Sequence, residues 1–305
     1  MQTETYHIPA LLEETINGLE IKPEGIYADV TFGGGGHSRA IMQHLGAQGR
    51  LYAFDQDIDA RNNAIDDPRF TFVYSNFRFL RNFMLFYGVE QLDGILADLG
   101  VSFHHFDDPE RGFSFRADGP LDMRMNRSAS VTAAKIVDEY SVEQLTQLMR
   151  LYGELRQARQ IAQTIDKARR QAPIETTARF LEVIKPCIDP RHEKKELAQV
   201  FQALRIEVND EMGALRQFLT QALRMLRPGG RLCVITYHSL EDRLVKNFMR
   251  SGNFEGKTEC DFYGRQLSPM KLITSKPITP SEEEILHNPR SRSAKLRIGQ
   301  RLQQQ

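Results

Sequence analysis

The chain has 305 residues, enough for one large or two ordinary domains with a substantial core. Its 40 lysines and arginines balance its 40 aspartates and glutamates, so no global field attracts nucleic acid and any basic surface must be local. Three widely separated cysteines without a Cys-x-x-Cys pair argue against a disulfide framework and a cysteine zinc site. No apolar run approaches the roughly 20 residues of a membrane span. We therefore expect a cytoplasmic globular protein that requires neither a membrane nor a metal.

Strands and helices alternate through the first third of the chain. The first helix is predicted to begin near residue 6, with Pro9 in its first turn. Strands that alternate with helices are typical of a doubly wound parallel sheet in an α/β fold. The predicted strands lie at residues 25–28, 50–55, 70–74 and 94–98, and a further helix is predicted at residues 77–87.

A glycine-rich turn joins the first strand to the next helix. Residues 29–37 read Asp-Val-Thr-Phe-Gly-Gly-Gly-Gly-His, and helical sequence follows at residues 38–42. Glycine is needed where the backbone adopts a positive φ or lies directly against a ligand. Because ligands bind beyond the carboxyl ends of parallel strands, the turn indicates a nucleotide-like ligand. The alternative is an ordinary surface loop that happens to be rich in glycine.

Three carboxylates narrow the choice of ligand. Asp29 opens the glycine turn, and Asp55 and Asp98 end the second and fourth strands. Asp55 is placed to accept hydrogen bonds from both hydroxyls of a ribose, although an aspartate there also suits a helix cap. Dinucleotide enzymes use a spaced Gly-x-Gly-x-x-Gly motif, whereas these four glycines are contiguous. The acidic surroundings favour a ligand with an ammonium and a sulfonium over one with two phosphates.

The alternation then gives way to a different pattern. Residues 107–127 are rich in Gly, Pro, Asp and Arg without helix or strand periodicity, and their phenylalanines argue against disorder, which indicates a functional loop. Helical spacing follows, with a capping box that begins at Ser141. We therefore assign residues 1–108 and 209–305 to a sheet core and residues 109–208 to a mainly helical insertion.

The sheet pattern resumes after a helix predicted at residues 209–226. A Pro-Gly-Gly turn leads into a fifth strand at residues 231–237. His238 follows at the carboxyl end of that strand, where ligands of such sheets bind, although a lone histidine is more often structural. Ser239 and Asp242 are candidate caps of the next helix.

A hairpin near the C-terminus completes the predicted sheet. Residues 293–298 alternate strictly between polar and apolar, which predicts an antiparallel strand, and residues 270–278 are its expected partner. This hairpin and the Pro-Gly-Gly turn are typical of S-adenosylmethionine-dependent methyltransferases. The predicted fold class is therefore α/β, a doubly wound Rossmann-like methyltransferase sheet with an inserted helical domain.

Seven short motifs indicate which molecule would accept the methyl group. They lie, in order, at residues 31–38, 98–102, 111–115, 118–124, 201–206, 238–243 and 288–293. Together they resemble the bacterial small-subunit ribosomal RNA cytosine-N4 methyltransferases over nearly the whole chain. The resemblance implies that S-adenosylmethionine is the methyl donor. It also implies an acceptor cytosine in the decoding region of 16S ribosomal RNA, within the small ribosomal subunit.

The resemblance also implies which residues bind the donor. By motif position these are Gly35, Gly36, His37, Asp55, Phe77 beside the adenine, Asp98 and His105. The chain departs from the family at residues 102–105, which read Ser-Phe-His-His in place of Ser-Ser-Pro-Gln. A second departure, at residues 152–156, replaces one glutamate before an arginine and is expected to alter only a surface pair.

Methylation of a cytosine amine places specific demands on the site. The amine is a weak nucleophile because its lone pair is delocalised into the ring, and its methylation needs no thiol that attacks the ring. Most of the rate should come from alignment of the amine with the methyl group and from an acceptor that polarises an N–H bond. Asp98 and the Ser102 hydroxyl are candidates for that acceptor environment, and His238 is a candidate for base contact or proton removal. No general base is assigned.

The target cytosine must be presented unpaired, because its amine is otherwise buried in a base pair. Basic residues cluster at residues 150–170 and 290–301, and we expect both clusters to bind ribosomal RNA while the loop at residues 107–127 closes over the flipped base. The substrate candidates are Arg111, Asp122, Arg124, Arg156, Arg205, Arg290 and Arg292.

Two other functions are compatible with the same sheet. A noncatalytic ribosome-assembly factor would bind small subunits without methylating them. A nicotinamide oxidoreductase would bind NAD in place of S-adenosylmethionine. The sequence leaves open whether the acceptor is free RNA or an assembled particle, and it leaves open the oligomeric state.

Overall fold

A computed structural model describes residues 9–100, 108–264 and 267–303. The chain divides into two compact units, of which the first comprises Met1–Gly100 and Gly213–Gln305 and the second comprises Val101–Met212. The predicted insertion, residues 109–208, falls inside the second unit. Within the described ranges, no helix is long and apolar enough to cross a membrane.

The first unit is built on a seven-stranded sheet. The strands run in the order β3-β2-β1-β4-β5-β7-β6; β1 to β5 are parallel, and β7 is antiparallel to both β5 and β6. The predicted doubly wound α/β class and the C-terminal hairpin are therefore confirmed. The strands are β1 Ile26–Asp29, β2 Arg50–Asp55, β3 Phe70–Tyr74, β4 Leu92–Asp98, β5 Leu226–Thr236, β6 Met270–Leu272 and β7 Lys295–Arg301.

Helices flank the sheet and make up most of the second unit. In chain order, the helices of the described residues are α1 Leu12–Leu19, α2 Gly36–His44, α3 Leu80–Phe86, α4 Ala133–Glu139, α5 Val142–Leu151, α6 Ala158–Arg169, α7 Thr177–Ile184, α8 Glu193–Val208, α9 Glu211–Met225, α10 Ser239–Ser251 and α11 Glu282–His287. The predicted capping box is present at the start of α5, where Ser141 and Gln144 satisfy each other's backbone N–H groups.

Each unit has its own apolar core. In the first, Leu19 of α1 and Ile41 of α2 pack with strand residues such as Leu96. In the second, Ile161 of α6, Phe180 of α7 and other helical side chains form a separate cluster. Such periodic burial explains why strong patterns in the sequence placed these elements correctly.

The predicted Pro-Gly-Gly turn is instead part of β5. Leu226 pairs with Leu92 and Arg231 with Gly94, so four residues of β5 lie opposite a single residue of β4 and form a bulge. Gly229 adopts a φ of 83°, which only glycine tolerates without strain. The turn-forming residues therefore interrupt the ladder without ending the strand.

The first helix begins later than predicted. Pro9 lies ahead of α1, and Leu11 immediately before it is left-handed, with φ 52° and ψ 41°. The Leu11 N–H donates to Oε1 of Glu284 at 2.9 Å, a partner from the far end of the chain. This long-range contact, which local sequence does not reveal, offsets the cost of the left-handed backbone.

The helical spacing predicted after Ser141 is interrupted in the structure. Helix α5 ends at Leu151, and α6 begins only at Ala158. Glu154 adopts a φ of 52°, which breaks the helical path between α5 and α6.

Asp93 is the buried polar anchor at the amino end of the sheet. Its side chain is 2% exposed, and Oδ2 accepts the Ile26 N–H at 2.9 Å. Its Oδ1 lies 3.0 Å from Nη1 of Arg227 and 3.7 Å from Nζ of Lys22. Asp93 therefore ties the start of β1 to the bulge of β5 across β4.

Replacement of Asp93 by alanine should lower the free energy of unfolding by about 2 kcal/mol, because it removes a charge-assisted hydrogen bond and leaves the Ile26 N–H unsatisfied. Urea unfolding followed by circular dichroism measures this loss. The matched control is Asp66→Ala, since Asp66 is exposed. Equal stability of the two variants would contradict the anchoring role.

Candidate functional site

Three aspartates end adjacent strands at one edge of the sheet. Asp29 ends β1, Asp55 ends β2 and Asp98 ends β4, and β1 lies between the other two. Parallel strands bring their carboxyl ends to the same edge, so the predicted grouping of these carboxylates follows from the topology. Among the described residues, no lysine or arginine lies within 4.0 Å of their carboxylate oxygens.

Asp29 is the most deeply buried of the three, with 1% exposure. Its Oδ2 accepts the Ser38 hydroxyl at 2.7 Å, and its Oδ1 accepts the Thr31 N–H at 3.2 Å. Burial raises the pKa of Asp29, and the Ser38 hydrogen bond opposes that rise. Asp29 therefore fixes the glycine turn to the first turn of α2.

Asp55 supports the other side of the same turn. Its Oδ2 accepts the Gly33 N–H at 2.8 Å, and its Oδ1 accepts the Asp57 N–H at 2.8 Å. Burial raises its pKa to about 6, against the lowering effect of these two hydrogen bonds. Each oxygen retains lone-pair capacity, which matches the two hydroxyls of a ribose.

Asp98 faces several polar groups at the end of β4. Its Oδ1 accepts the Gly100 N–H at 3.2 Å, and the Tyr237 hydroxyl donates to the carboxylate. Its Oδ2 lies 3.8 Å from Nδ1 of His37. Burial raises the pKa of Asp98 to about 6, so its charge changes close to neutral pH.

The four glycines divide into two pairs with different surroundings. A Cβ on Gly35 would lie 2.9 Å from the Phe32 ring, and one on Gly36 would lie 2.6 Å from Pro9. By contrast, a Cβ on Gly33 or Gly34 would have no neighbour within 4 Å. The pair predicted to bind the donor is thus required by packing within the protein, while the preceding pair leaves open space. The sequence alone could not distinguish the two pairs, because it shows four identical glycines.

His37 and Phe77, the other predicted donor contacts, also have internal partners. Nε2 of His37 lies 3.1 Å from the Ala10 carbonyl oxygen, so that nitrogen carries the proton. Burial lowers the pKa of His37, which keeps the ring neutral. Phe77 follows β3 and is half-buried, with its ring 5.4 Å from that of Phe218. His105 lies outside the described residues.

His238 caps α10, a role that the sequence suggested for Ser239. The Glu241 N–H donates to Nδ1 of His238 at 3.5 Å, while Nε2 of His238 lies 3.0 Å from Oε1 of Glu241. With Nδ1 as an acceptor, Nε2 carries the proton, yet among the described residues it donates no hydrogen bond, although the carboxylate of Glu241 is close. Nδ1 of His238 is thus used by the helix cap, and its buried Nε2 lies beside the Glu241 carboxylate without a hydrogen bond among the described residues.

Asp242, the other predicted cap, forms a different contact. Its Oδ1 accepts a hydrogen bond from Nε of Arg297 at 2.7 Å, which ties α10 to β7. Ser102, the remaining catalytic candidate, lies outside the described residues.

Four of the predicted substrate residues are committed to contacts within the helical unit. Arg111 is 3% exposed and donates to the carbonyl oxygens of Arg124 and Met125. Arg124 forms a bidentate pair with Asp122 at 2.7 and 2.6 Å. Arg205 forms a similar pair with Glu211. These contacts fold the segment that begins at residue 108, which explains how a stretch without periodicity becomes ordered.

The other three substrate candidates are exposed arginines. Arg156 lies between α5 and α6 in the helical unit, and Arg290 and Arg292 lie between α11 and β7 in the sheet unit. Their exposure is compatible with the predicted contact to RNA phosphates.

The strand ends have the chemistry expected for a cationic nucleotide-like ligand. Asp55 keeps acceptor capacity on both oxygens, a Cβ on Gly34 would meet open space, and no lysine or arginine of the described residues pairs with the three carboxylates. The sheet order, with its antiparallel seventh strand, and this site define the protein class as a Rossmann-like S-adenosylmethionine-dependent methyltransferase.

The chain belongs to the MraW methylase family, which it matches over residues 4–302. It is 62% identical over 298 residues to a Parabacteroides distasonis protein named ribosomal RNA small subunit methyltransferase H, covering 97% of this chain and 98% of the relative. A Bacteroides thetaiotaomicron protein of the same name is 60% identical over 297 residues, covering 97% of this chain and 98% of the relative.

The two pairs of glycines should respond differently to alanine. Gly34→Ala should weaken S-adenosylmethionine binding about 10-fold with an unchanged melting temperature, because the new methyl group enters open space beside the turn. Gly36→Ala should lower the melting temperature, because its methyl group collides with Pro9.

Isothermal titration and differential scanning calorimetry on both variants provide the comparison. A Gly34→Ala protein that binds the donor as tightly as the wild type would show that the donor does not approach this face of the turn.

Proposed function

We propose that this protein transfers the methyl group of S-adenosylmethionine to the exocyclic N4 amine of a cytosine in the decoding region of 16S ribosomal RNA. The observation that carries the ribosomal acceptor is the 62% identity, across 97% of the chain, to a relative named ribosomal RNA small subunit methyltransferase H. The seven motifs support cytosine N4 as the atom that is methylated.

Asp98 is the side chain best placed to assist the amine. A bound donor supplies a methyl group activated by a positively charged sulfur. As the amine attacks, positive charge develops on its nitrogen, and a carboxylate that accepts one of its N–H bonds stabilises that charge. Asp98 sits at the carboxyl end of the central strand β4, is held by a backbone N–H and a phenol, and has no paired cation among the described residues.

The cysteines support methylation at nitrogen over methylation at ring carbon. Ring-carbon methylation requires a nucleophilic thiol near the base. Cys233 is buried within β5, where burial raises its thiol pKa, and Cys187 is buried in the helical unit. Cys260 is exposed and lies in the segment between α10 and β6, outside the strands that carry the three aspartates.

Contact with ribosomal RNA is assigned to exposed arginines on each unit. Arg156 lies in the helical unit, and Arg292 lies in the segment before β7. Both side chains are exposed, unlike the four substrate candidates in internal contacts. Exposed guanidinium groups contribute to RNA binding mainly through phosphates, so their contribution should decline with salt.

The direct test incubates the protein with methyl-labelled donor and small subunits that lack the modification, with protein-free 16S ribosomal RNA in parallel. Mass spectrometry should locate the label on N4 of one cytosine. Donor binding without labelled cytosine would favour the assembly-factor alternative, and NAD binding without S-adenosylmethionine binding would favour the oxidoreductase.

Asp98→Asn should lower kcat about 100-fold, because the amide cannot stabilise the developing charge as a carboxylate does. In the wild type, activity should fall as the pH drops through about 6, where Asp98 becomes protonated. The pH profile of kcat measures both effects. An Asp98→Asn enzyme with wild-type turnover would exclude Asp98 from the chemistry.

Arg156→Ala and Arg292→Ala should each weaken binding to small subunits and reduce the salt dependence of that binding by roughly one released counterion. Matched controls are Lys185→Ala in the helical unit and Lys276→Ala in the sheet unit, both exposed. Filter binding over a salt series measures the slopes. Wild-type affinity in both arginine variants would place the RNA surface elsewhere.

A further inference from the structure

Tyr237 stands at the junction of the two strand ends that matter most for the proposed reaction. It follows β5 directly, and β5 is the parallel neighbour of β4. A Cβ on Gly100 would lie 3.1 Å from Cζ of the Tyr237 ring and 3.3 Å from Oδ1 of Asp98, the last residue of β4. The phenol therefore lies beside this carboxylate, and hydrogen bonding from its hydroxyl lowers the pKa of Asp98. Burial raises the pKa of this phenol far above its usual range, so the proton stays on the phenol oxygen and continues to be donated.

The ring of Tyr237 is held in place from two sides. A Cβ on Gly100 would lie 2.8 Å from Cε2 and 3.1 Å from Cζ of the ring, so the chain after β4 passes directly against it. The backbone N–H of Tyr237 donates to Oε2 of Glu241 at 3.0 Å. Glu241 is in turn held by its contacts to His238. The phenol therefore has little freedom to turn away from Asp98.

Asp98 itself would be less constrained without this phenol. Its remaining described partners are the Gly100 N–H at 3.2 Å and the ring of neutral His37, whose Nδ1 is 3.8 Å away. The first is a long hydrogen bond, and the second exceeds hydrogen-bonding distance. Among the described side chains, the phenol lowers the pKa of Asp98 by hydrogen bonding, whereas the carboxylate of Glu241 raises it by repulsion.

We propose that Tyr237 is a positioning residue for methyl transfer, whose hydroxyl fixes the Asp98 carboxylate in the orientation that receives an N–H of the acceptor amine. This inference rests on the proposed function. Tyr237 acts through Asp98 and is not itself assigned to contact the substrate. It also gives the cap formed by His238 and Glu241 a functional consequence, because that cap holds the backbone of Tyr237.

The decisive variant is Tyr237→Phe, which removes one oxygen and keeps the ring. Turnover on unmodified small subunits should fall roughly 10-fold, while the Kd for S-adenosylmethionine changes less than about 2-fold. The acid limb of the kcat profile should move to higher pH, because loss of the donated hydrogen bond raises the pKa of Asp98. A merely structural role would lower stability without moving this limb.

A second variant perturbs the same contact from the opposite side. Gly100→Ala places a methyl group against the Tyr237 ring and should reproduce the turnover defect and the shifted pH limb. The control is Tyr140→Phe, since the Tyr140 hydroxyl donates to Oε1 of Glu207 at 2.8 Å in the helical unit. Tyr140→Phe should leave the turnover, the donor Kd and the acid limb unchanged.

Titration of the Asp98 carboxyl by carbon NMR separates this inference from the proposed function. If the wild type does not label cytosine, the proposed function fails, yet a higher Asp98 pKa in Tyr237→Phe still supports the positioning contact. An unchanged Asp98 pKa, unchanged turnover, or a selective loss of donor affinity in Tyr237→Phe would each overturn the inference.

Discussion

The rest of the site depends on three carboxylates that are buried at one edge of the sheet, where they lose hydration. Burial raises the pKa of Asp29, of Asp55 and of Asp98. Repulsion from neighbouring acidic groups raises each pKa further. Backbone N–H groups and hydroxyls offset part of this cost. No cation among the described residues neutralises the cluster, so a positively charged ligand completes it electrostatically.

The glycine turn and these carboxylates form one unit. Asp29 holds the turn through Ser38 and Thr31, and Asp55 holds it through the N–H of Gly33. The Thr31 hydroxyl accepts the Asp98 N–H at 2.6 Å and extends the connection to β4. The strand ends and the turn therefore constrain each other, and a ligand bound there meets a preorganised surface.

The sequence located this edge because its signals are local. Period-two and period-3.6 patterns, a run of glycines and strand-terminal aspartates all act within a few residues of each other. The same reasoning placed Pro9 inside a helix and put a turn before β5. A contact from Glu284 and the pairing of β4 with both ends of a bulge decided those two places. Neither partner is near in the sequence.

By itself, the sequence determined the α/β class, the strand-terminal aspartates and the family to which the motifs belong, because patterning and motifs act locally. Only the tertiary structure showed that Gly33 and Gly34 face open space while Gly35 and Gly36 face the protein. It likewise separated exposed Arg156 and Arg292 from the buried Arg111. Tyr237 gained its partner Asp98 only when β4 and β5 paired, since a hydrogen bond between strand ends depends on register.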